Sequence, residues 1–208
     1  MSITQSKPPV KLTVGAQYIT FNVMEGEEWT QNFEDDVTKC PTVVNVEAAD
    51  NNDSYEDYAS GGIYDADTKT QYTDLTVEQI AVDPKIAAKM KGNNTDGGAY
   101  LGGGNRVRPY FAYGIPVIKK DGTRDMRWYP KCKLVDNTDR TGTSESSHKT
   151  QTDTYTFRAY PFNEAHDIVA GVDTSDSTYA GITEEAFFAA PVMTLAGIKA
   201  LIPSNTNP

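Results

Sequence analysis

Pro109-Tyr110-Phe111-Ala112-Tyr113-Gly114, then Met126-Arg127-Trp128-Tyr129-Pro130-Lys131-Cys132-Lys133-Leu134, then Thr154-Tyr155-Thr156-Phe157-Arg158-Ala159-Tyr160-Pro161-Phe162-Asn163, are the segments that decide the fold. The first two are joined through Asp121-Gly122, a dipeptide that supplies positive φ at little steric cost. In an extended chain Met126, Trp128, Cys132 and Leu134 fall on one face, and Arg127, Tyr129, Lys131 and Lys133 on the other. This period-two pattern predicts a long antiparallel hairpin with one buried face and one ionic face. Tyr155, Phe157 and Ala159 repeat the pattern in the third segment.

Outward from this hairpin, further strands are predicted at Gln17–Val23, with Ile19, Phe21 and Val23 on one side, at Thr42–Ala48, at Ser54–Ser60, at Gln71–Val82 and at Ile168–Val172. Gly61-Gly62 and Asp65-Ala66-Asp67 read as punctuation between strands. Asp83 as N-cap, Pro84 at the first helical position and Gly92 past the end predict one short helix that packs Ile86 and Met90. Thr183 caps a small helix containing Phe187 and Phe188. A last one spans Thr194–Leu201, with Leu195, Ile198 and Leu201 at helical spacing. Met24–Lys39, the glycine-rich Asn93–Asn105 and the polar Asp136–Gln151 read as loops, the last as a mobile connection. The domain reading is an N-terminal arm over 1–14, a single domain over 15–202 and a polar tail over 203–208. The fold class expected is mainly β: sandwich-like or barrel-like antiparallel sheets with one short flanking helix and small C-terminal helices.

Of the 208 residues 38% are hydrophobic, enough for a core and too many for wholesale disorder. No apolar run approaches the roughly 18 residues that span a bilayer, and the first residues lack the apolar region of a secretory signal, so synthesis in a cytosol is expected. On the same ground the sequons at Asn52 and Asn93 read as chance matches. Cys40 and Cys132 are expected as reduced, half-buried thiols. The formal net charge is −10 and unevenly spread. Glu47–Asp83 holds ten acids against Lys69 alone, whereas Arg106–Lys133 holds eight bases against Asp121 and Asp125. The total disfavours adhesion to nucleic acid. The segregation reads either as oppositely charged faces that meet between subunits or as an ordinary solvated surface.

Motifs for chemistry are weak. Asp50-Asn51-Asn52-Asp53-Ser54-Tyr55-Glu56-Asp57 has the acids of a calcium loop, but Tyr55 stands where such a loop needs glycine, so a solvated or inter-subunit acidic strand is the preferred reading. Gly97–Gly104 lacks the Gly-Lys-Ser/Thr ending of a phosphate loop. His148 and His166 have no nucleophile elbow to serve, and neither cysteine has a CxxC partner. No catalytic, cofactor-binding or metal site is therefore assigned. Ten of the twelve tyrosines, from Tyr55 to Tyr160, fall on or beside expected β segments, where they suit cross-strand pairing and interfaces. An aromatic platform for sugar or nucleic acid is the alternative.

Asp53–Gly61, Pro109–Gly114, Trp128–Leu134 and Thr156–Asn163, followed by Thr183-Glu184-Glu185-Ala186-Phe187-Phe188 and Pro191-Val192, resemble in order and spacing the major tail proteins of long-tailed, non-contractile phages and prophages of Gram-positive bacteria. The resemblance covers roughly Thr42–Leu201, and residues 1–40 share it less clearly. It implies a tail-tube fold, hexameric rings whose strands join into one inner β-barrel, and stacking of those rings into the tube through which DNA leaves the capsid. It implies no cofactor and no membrane, and as partners other copies of the chain with tape-measure, tail-terminator and distal tail proteins. The location implied is the virion tail, after assembly in the host cytoplasm. Asp50, Asp53, Glu56, Asp57, Asp65 and Asp67 are the candidate lumen or inter-ring acids. Arg106, Arg108, Arg127, Lys131 and Lys133 are the candidate inter-subunit bases. A baseplate module that binds a receptor or carbohydrate is the competing reading.

Overall fold

The strand after the Asp121-Gly122 turn runs from Arg124 to Thr138 and sends side chains into two different cores. The computed structural model describes residues 7–60, 62–139, 141 and 151–203, so His148, the first six residues of the expected arm, most of the 136–151 connection and nearly all of the tail lie outside them. In chain order the strands are β1 Lys11–Val14, β2 Gln17–Phe21, β3 Thr38–Cys40, β4 Val43–Ala59, β5 Gly62–Gln79, β6 Asn94–Asp96, β7 Ala99–Leu101, β8 Phe111–Lys119, β9 Arg124–Thr138, β10 Asp153–Ala159 and β11 Ala170–Asp173. The helices are α1 Pro84–Met90, α2 Glu184–Phe187 and α3 Leu195–Ala200. The architecture is mainly antiparallel β with a few short flanking helices.

The split in β9 has a local cause. Tyr113 lies opposite Tyr129, and Phe111 opposite Cys132, so two steps along β8 match three along β9. The extra residue is a β-bulge that inverts the alternation. Pro130 sits in it, where a missing N–H costs no ladder bond. Met126 and Trp128 therefore enter one core, and Tyr129, Cys132 and Leu134 the other. This corrects the expectation that Met126, Trp128, Cys132 and Leu134 share a face, because simple alternation carries no information about an inserted residue.

The sheet order is β3-β2-β8-β9-β10-β5-β4. β1 joins β8 beyond β2, and β11 joins β9 beyond β10. The described part of the expected arm thus contributes a strand, because β8 outruns β2 and leaves an edge to be covered. The sheet curls until β1 and β4 flank one groove floored by Ile115, Val117 and Tyr129. The first core, on the inner side, collects Leu75, Val77, Phe111, Tyr113, Cys132, Leu134 and Phe157, with Ile86 and Met90 of α1. As expected, Asp83 caps α1, accepting from Lys85 N at 2.8 Å.

The second core lies on the opposite face under the C-terminal segment. Trp128 is fully buried and donates from Nε1 to Phe187 O at 3.0 Å. The Tyr18 and Phe188 rings stack with centroids 4.1 Å apart. Gly114 makes this contact possible, since a Cβ there would stand 2.8 Å from Phe188 Cε1 and 3.0 Å from Trp128 Cε3. Glu184, nearly buried, accepts from Tyr18 Oη at 2.6 Å and pairs with Lys39 and Arg124, tying α2 to the sheet. β2 is buried on both faces rather than one because it lies between the two cores. Leu195, expected to pack with Ile198 and Leu201, is 74% exposed.

Other expectations also shift. Thr42–Ala48 and Ser54–Ser60 belong to one strand, β4, and Asp65-Ala66-Asp67 lies inside β5 rather than between strands. Gln71–Val82 is the C-terminal part of that strand, which ends at Gln79. The glycine-rich 93–105 region carries the small β6–β7 hairpin around Gly97-Gly98. No helix among the described residues is long and apolar enough to cross a membrane.

Two predictions follow from this packing. Gly114→Ala drives a methyl group into the Phe188 and Trp128 rings and is expected to lower unfolding free energy by about 1–3 kcal/mol, read from urea denaturation. The second concerns Asp173 in β11, which accepts from the buried Lys119 ammonium and from Ser175. Burial works against its charge, but Lys119 and Ser175 prevail and hold the carboxyl at about 2, below its ordinary 3.8. A lowered carboxyl pKa adds stability that is complete above the unfolded value and fades as pH falls through the folded one. Wild type should therefore exceed Asp173→Asn in stability near neutrality, and the gap should close between about pH 4 and pH 2.

Candidate functional site

β10 covers β5 only from Thr73 to Gln79. Past Thr73 the two longest strands pair with each other alone, and β4–β5 leaves the body as a two-stranded ribbon. Residues opposite each other in an antiparallel pair share a face. Asp53 lies opposite Lys69, Tyr55 opposite Asp67, and Asp57 opposite Asp65. One ribbon face thus carries four carboxylates, a tyrosine and a single lysine. The other carries Asn52 with Thr70, Ser54 with Thr68, and Glu56 with Ala66. On the acidic face Lys69 reaches Asp67 at 3.3 Å, and Gln71 Nε2 donates to Asp53 at 3.2 Å.

Of the six acids singled out in the sequence, Asp53, Asp57, Asp65 and Asp67 are therefore gathered, and Glu56 points the other way. Asp50 sits nearer the body, accepts from Thr73 Oγ1 at 2.6 Å, and lines a recess with Arg127 and Tyr129. Alternation along a strand also disposes of the calcium loop, because Asp53 and Asp57 face away from Asp50 and Glu56. Among the described residues no three His, Cys, Asp or Glu side chains converge to hold a metal ion.

The five bases scatter. Arg106 donates to Gly103 O in its own loop. Arg108 is structural: its Nη1 donates to Leu134 O at 2.8 Å and Val135 O at 2.7 Å, carbonyls freed where β9 bulges a second time opposite Phe157 and Thr156. Arg127 pairs with Asp125 on the inner side. That bond raises its pKa against the opposing effect of burial. Only Lys131 and Lys133 fall together, on the outer side of β9.

These two lysines belong to a larger row. Lys131 Nζ lies 5.1 Å from the Trp29 ring centroid and 5.8 Å from that of Tyr110, and Lys133 Nζ lies 4.0 Å from Tyr110. Lys133 is in register with Arg158 of β10, and Arg158 with Asp74 of β5. The Arg158 guanidinium lies 3.9 Å from the Tyr72 ring and bonds Asp74 through two nitrogens, at 2.7 and 3.0 Å. Among the described residues Lys131 and Lys133 form no ion pair. Sequence reading missed Arg158, although it alternates with Phe157 and Ala159 in a predicted strand. Trp29, inside an acidic loop, gave no signal.

The thiols are set for packing. Burial pushes the Cys132 thiol far above its ordinary value, and that of Cys40 upward, with Asp83 adding to the latter. Both shifts disfavour the thiolate that nucleophilic chemistry needs. His166 is exposed with φ of 62°, its Nδ1 at 3.1 Å from Glu164 O.

No protein-family model and no curated protein sequence matches the chain. Solved structures do resemble it. The anti-feeding prophage cap (AFP tube terminating cap) is 11% identical, with 83% of this chain and 95% of that chain covered and a TM-score of 0.47. An extracellular contractile injection system, the PVC sheath-tube complex in the extended state, is 12% identical over 76% of this chain and 88% of that chain, with a TM-score of 0.43. Hcp1 from Flavobacterium johnsoniae is 12% identical over 75% and 94%, with a TM-score of 0.35. At TM-scores below 0.5 these likenesses do not decide function.

The Arg158–Asp74 pair can be tested alone. A double-mutant cycle with Arg158→Ala and Asp74→Ala is expected to give a coupling of about 0.5–1 kcal/mol in unfolding free energy. Arg158→Lys should not preserve it, since lysine lacks the planar fork and the stacking surface.

Proposed function

We propose that this chain is a structural, non-enzymatic subunit that assembles with copies of itself into the tube of a phage tail. The observation that carries the reading is the β4–β5 ribbon. An isolated two-stranded ribbon is marginally stable in water, and the outer edge of β4 lies at the end of the sheet order with no strand beside it among the described residues. An exposed edge of seventeen residues is a template for pairing, and ring closure removes such edges. The motif order that resembles major tail proteins of long-tailed, non-contractile phages supports the same reading. Six copies per ring, rings stacked in register, and contacts with tape-measure, tail-terminator and distal tail proteins belong to it. A net charge of −10 suits a conduit that DNA traverses without adhering.

Negative-stain electron microscopy of the purified protein across a range of concentrations is the test. Hollow tubes or stacked rings are expected. Replacing residues 52–70 with an Asn-Gly turn should leave the thermal transition of the body close to wild type, because no described residue of the ribbon belongs to either core, and should abolish tubes. Discrete wild-type particles that bind cell-wall polysaccharide would overturn the reading in favour of a baseplate binding module.

A further inference from the structure

We infer that the acidic face of the β4–β5 ribbon docks on the cation–aromatic row of a second copy of the chain. The inference rests on the self-assembly reading and adds which two surfaces meet. The ribbon face presents Asp53, Asp57, Asp65 and Asp67 against Lys69 alone, whereas the row presents Lys131, Lys133 and Arg158 against Asp74, with Glu47 and Asp136 one rung and Glu78 two rungs further along the same face. Surfaces of opposite sign steer encounter and set register. The row also carries Trp29, Tyr110 and Tyr72 beneath its cations, and aromatic and arginine side chains are those enriched at protein interfaces.

Tyr72 and Asp74, at the edge of the row, and Asp65 and Asp67, on the ribbon, all belong to the same face of β5. The shift in register at Asn51 and Asn52 keeps that face in line, because the extra residue, Gln71, is confined to β5. Two patches side by side on one face point the same way and cannot meet each other. They can meet on two copies.

Asp57 directly opposite Asp65 is a like-charge cross-strand pair, which destabilises an isolated ribbon. A cationic partner removes that cost. Nucleic acid is the disfavoured ligand for the row, since the same sheet face carries the four ribbon carboxylates and would repel phosphate.

The test is a charge swap in the full chain. One variant carries Lys131→Glu and Lys133→Glu, and the other Asp57→Lys and Asp65→Lys. Each is first shown to keep the wild-type thermal transition. Sedimentation velocity and negative-stain microscopy then give the concentration at which assembly begins. Each variant alone is expected to need at least about tenfold more protein than wild type. An equimolar mixture should assemble at close to the wild-type concentration, because every ribbon then finds a row of opposite sign. Raising the salt should weaken wild-type assembly. Variants that assemble alone like wild type, or a mixture that fails while wild type forms tubes, would overturn the docking and leave the tube reading standing. Wild type that stays as single particles would overturn both. If the lysine variant assembles normally but loses binding to a labelled DNA oligonucleotide in fluorescence polarisation, the row is a nucleic-acid surface and the docking is refuted.

Discussion

One extra residue in β9 organises the molecule. With Tyr113 opposite Tyr129 and Phe111 opposite Cys132, the strand changes which face it offers to which core. Without the bulge, Trp128 and Cys132 would share a side and compete for one interior. With it, β8 and β9 run between two cores, one closed by α1 and the other by α2, α3 and the turns between them. The same break explains the topology. β11 pairs with the stretch of β9 before the bulge and β10 with the stretch from Cys132 onward, just as β1 and β2 divide β8. A second bulge at Val135 leaves carbonyls that Arg108 satisfies, so a base singled out for its charge serves the backbone instead.

The stability of the body and the exposure of the ribbon are two sides of one design. Burial of the Trp128, Phe187, Phe188, Phe111, Phe157 and Tyr113 side chains concentrates the hydrophobic contribution on the two faces of the β8–β9 pair, at roughly 1.5–3 kcal/mol for each large side chain. Gly114 is the small residue that lets two of those rings close over the sheet. The ribbon draws on none of this. It is held by its ladder and by polar cross-strand contacts such as Thr70 to Asn52 at 2.7 Å. A body packed around two cores and a ribbon whose described residues enter neither make a subunit whose two longest strands project beyond its cores.

The two charge blocks visible in the sequence turn out to be different kinds of object. The acidic block is a real surface for four of its members, because strand pairing places Asp53, Asp57, Asp65 and Asp67 together. The basic block is not a single surface. Arg108 and Arg127 are committed to Val135 and Asp125, and the surviving cationic patch recruits Arg158, Tyr72 and Trp29 from elsewhere in the chain. Counting charges along a chain finds blocks, whereas a surface is made by neighbours across strands, here β9, β10 and β5.

The sequence by itself determined the elements whose signals are local. The Asp121-Gly122 hairpin, the capped helix at Pro84–Met90 and the inward-facing Tyr155, Phe157 and Ala159 depend on turn chemistry, capping and alternation, which act over a few residues. Only the tertiary structure decided the rest. The bulge at Pro130 depends on what β8 presents across the sheet. The unbroken β4 and β5 depend on each other, since no described residue of the ribbon enters either core and no apolar alternation marks it. The cation–aromatic row depends on register between strands far apart in the chain. Each is a relation across paired strands, and a one-residue change in register would send every one of those side chains to the opposite face.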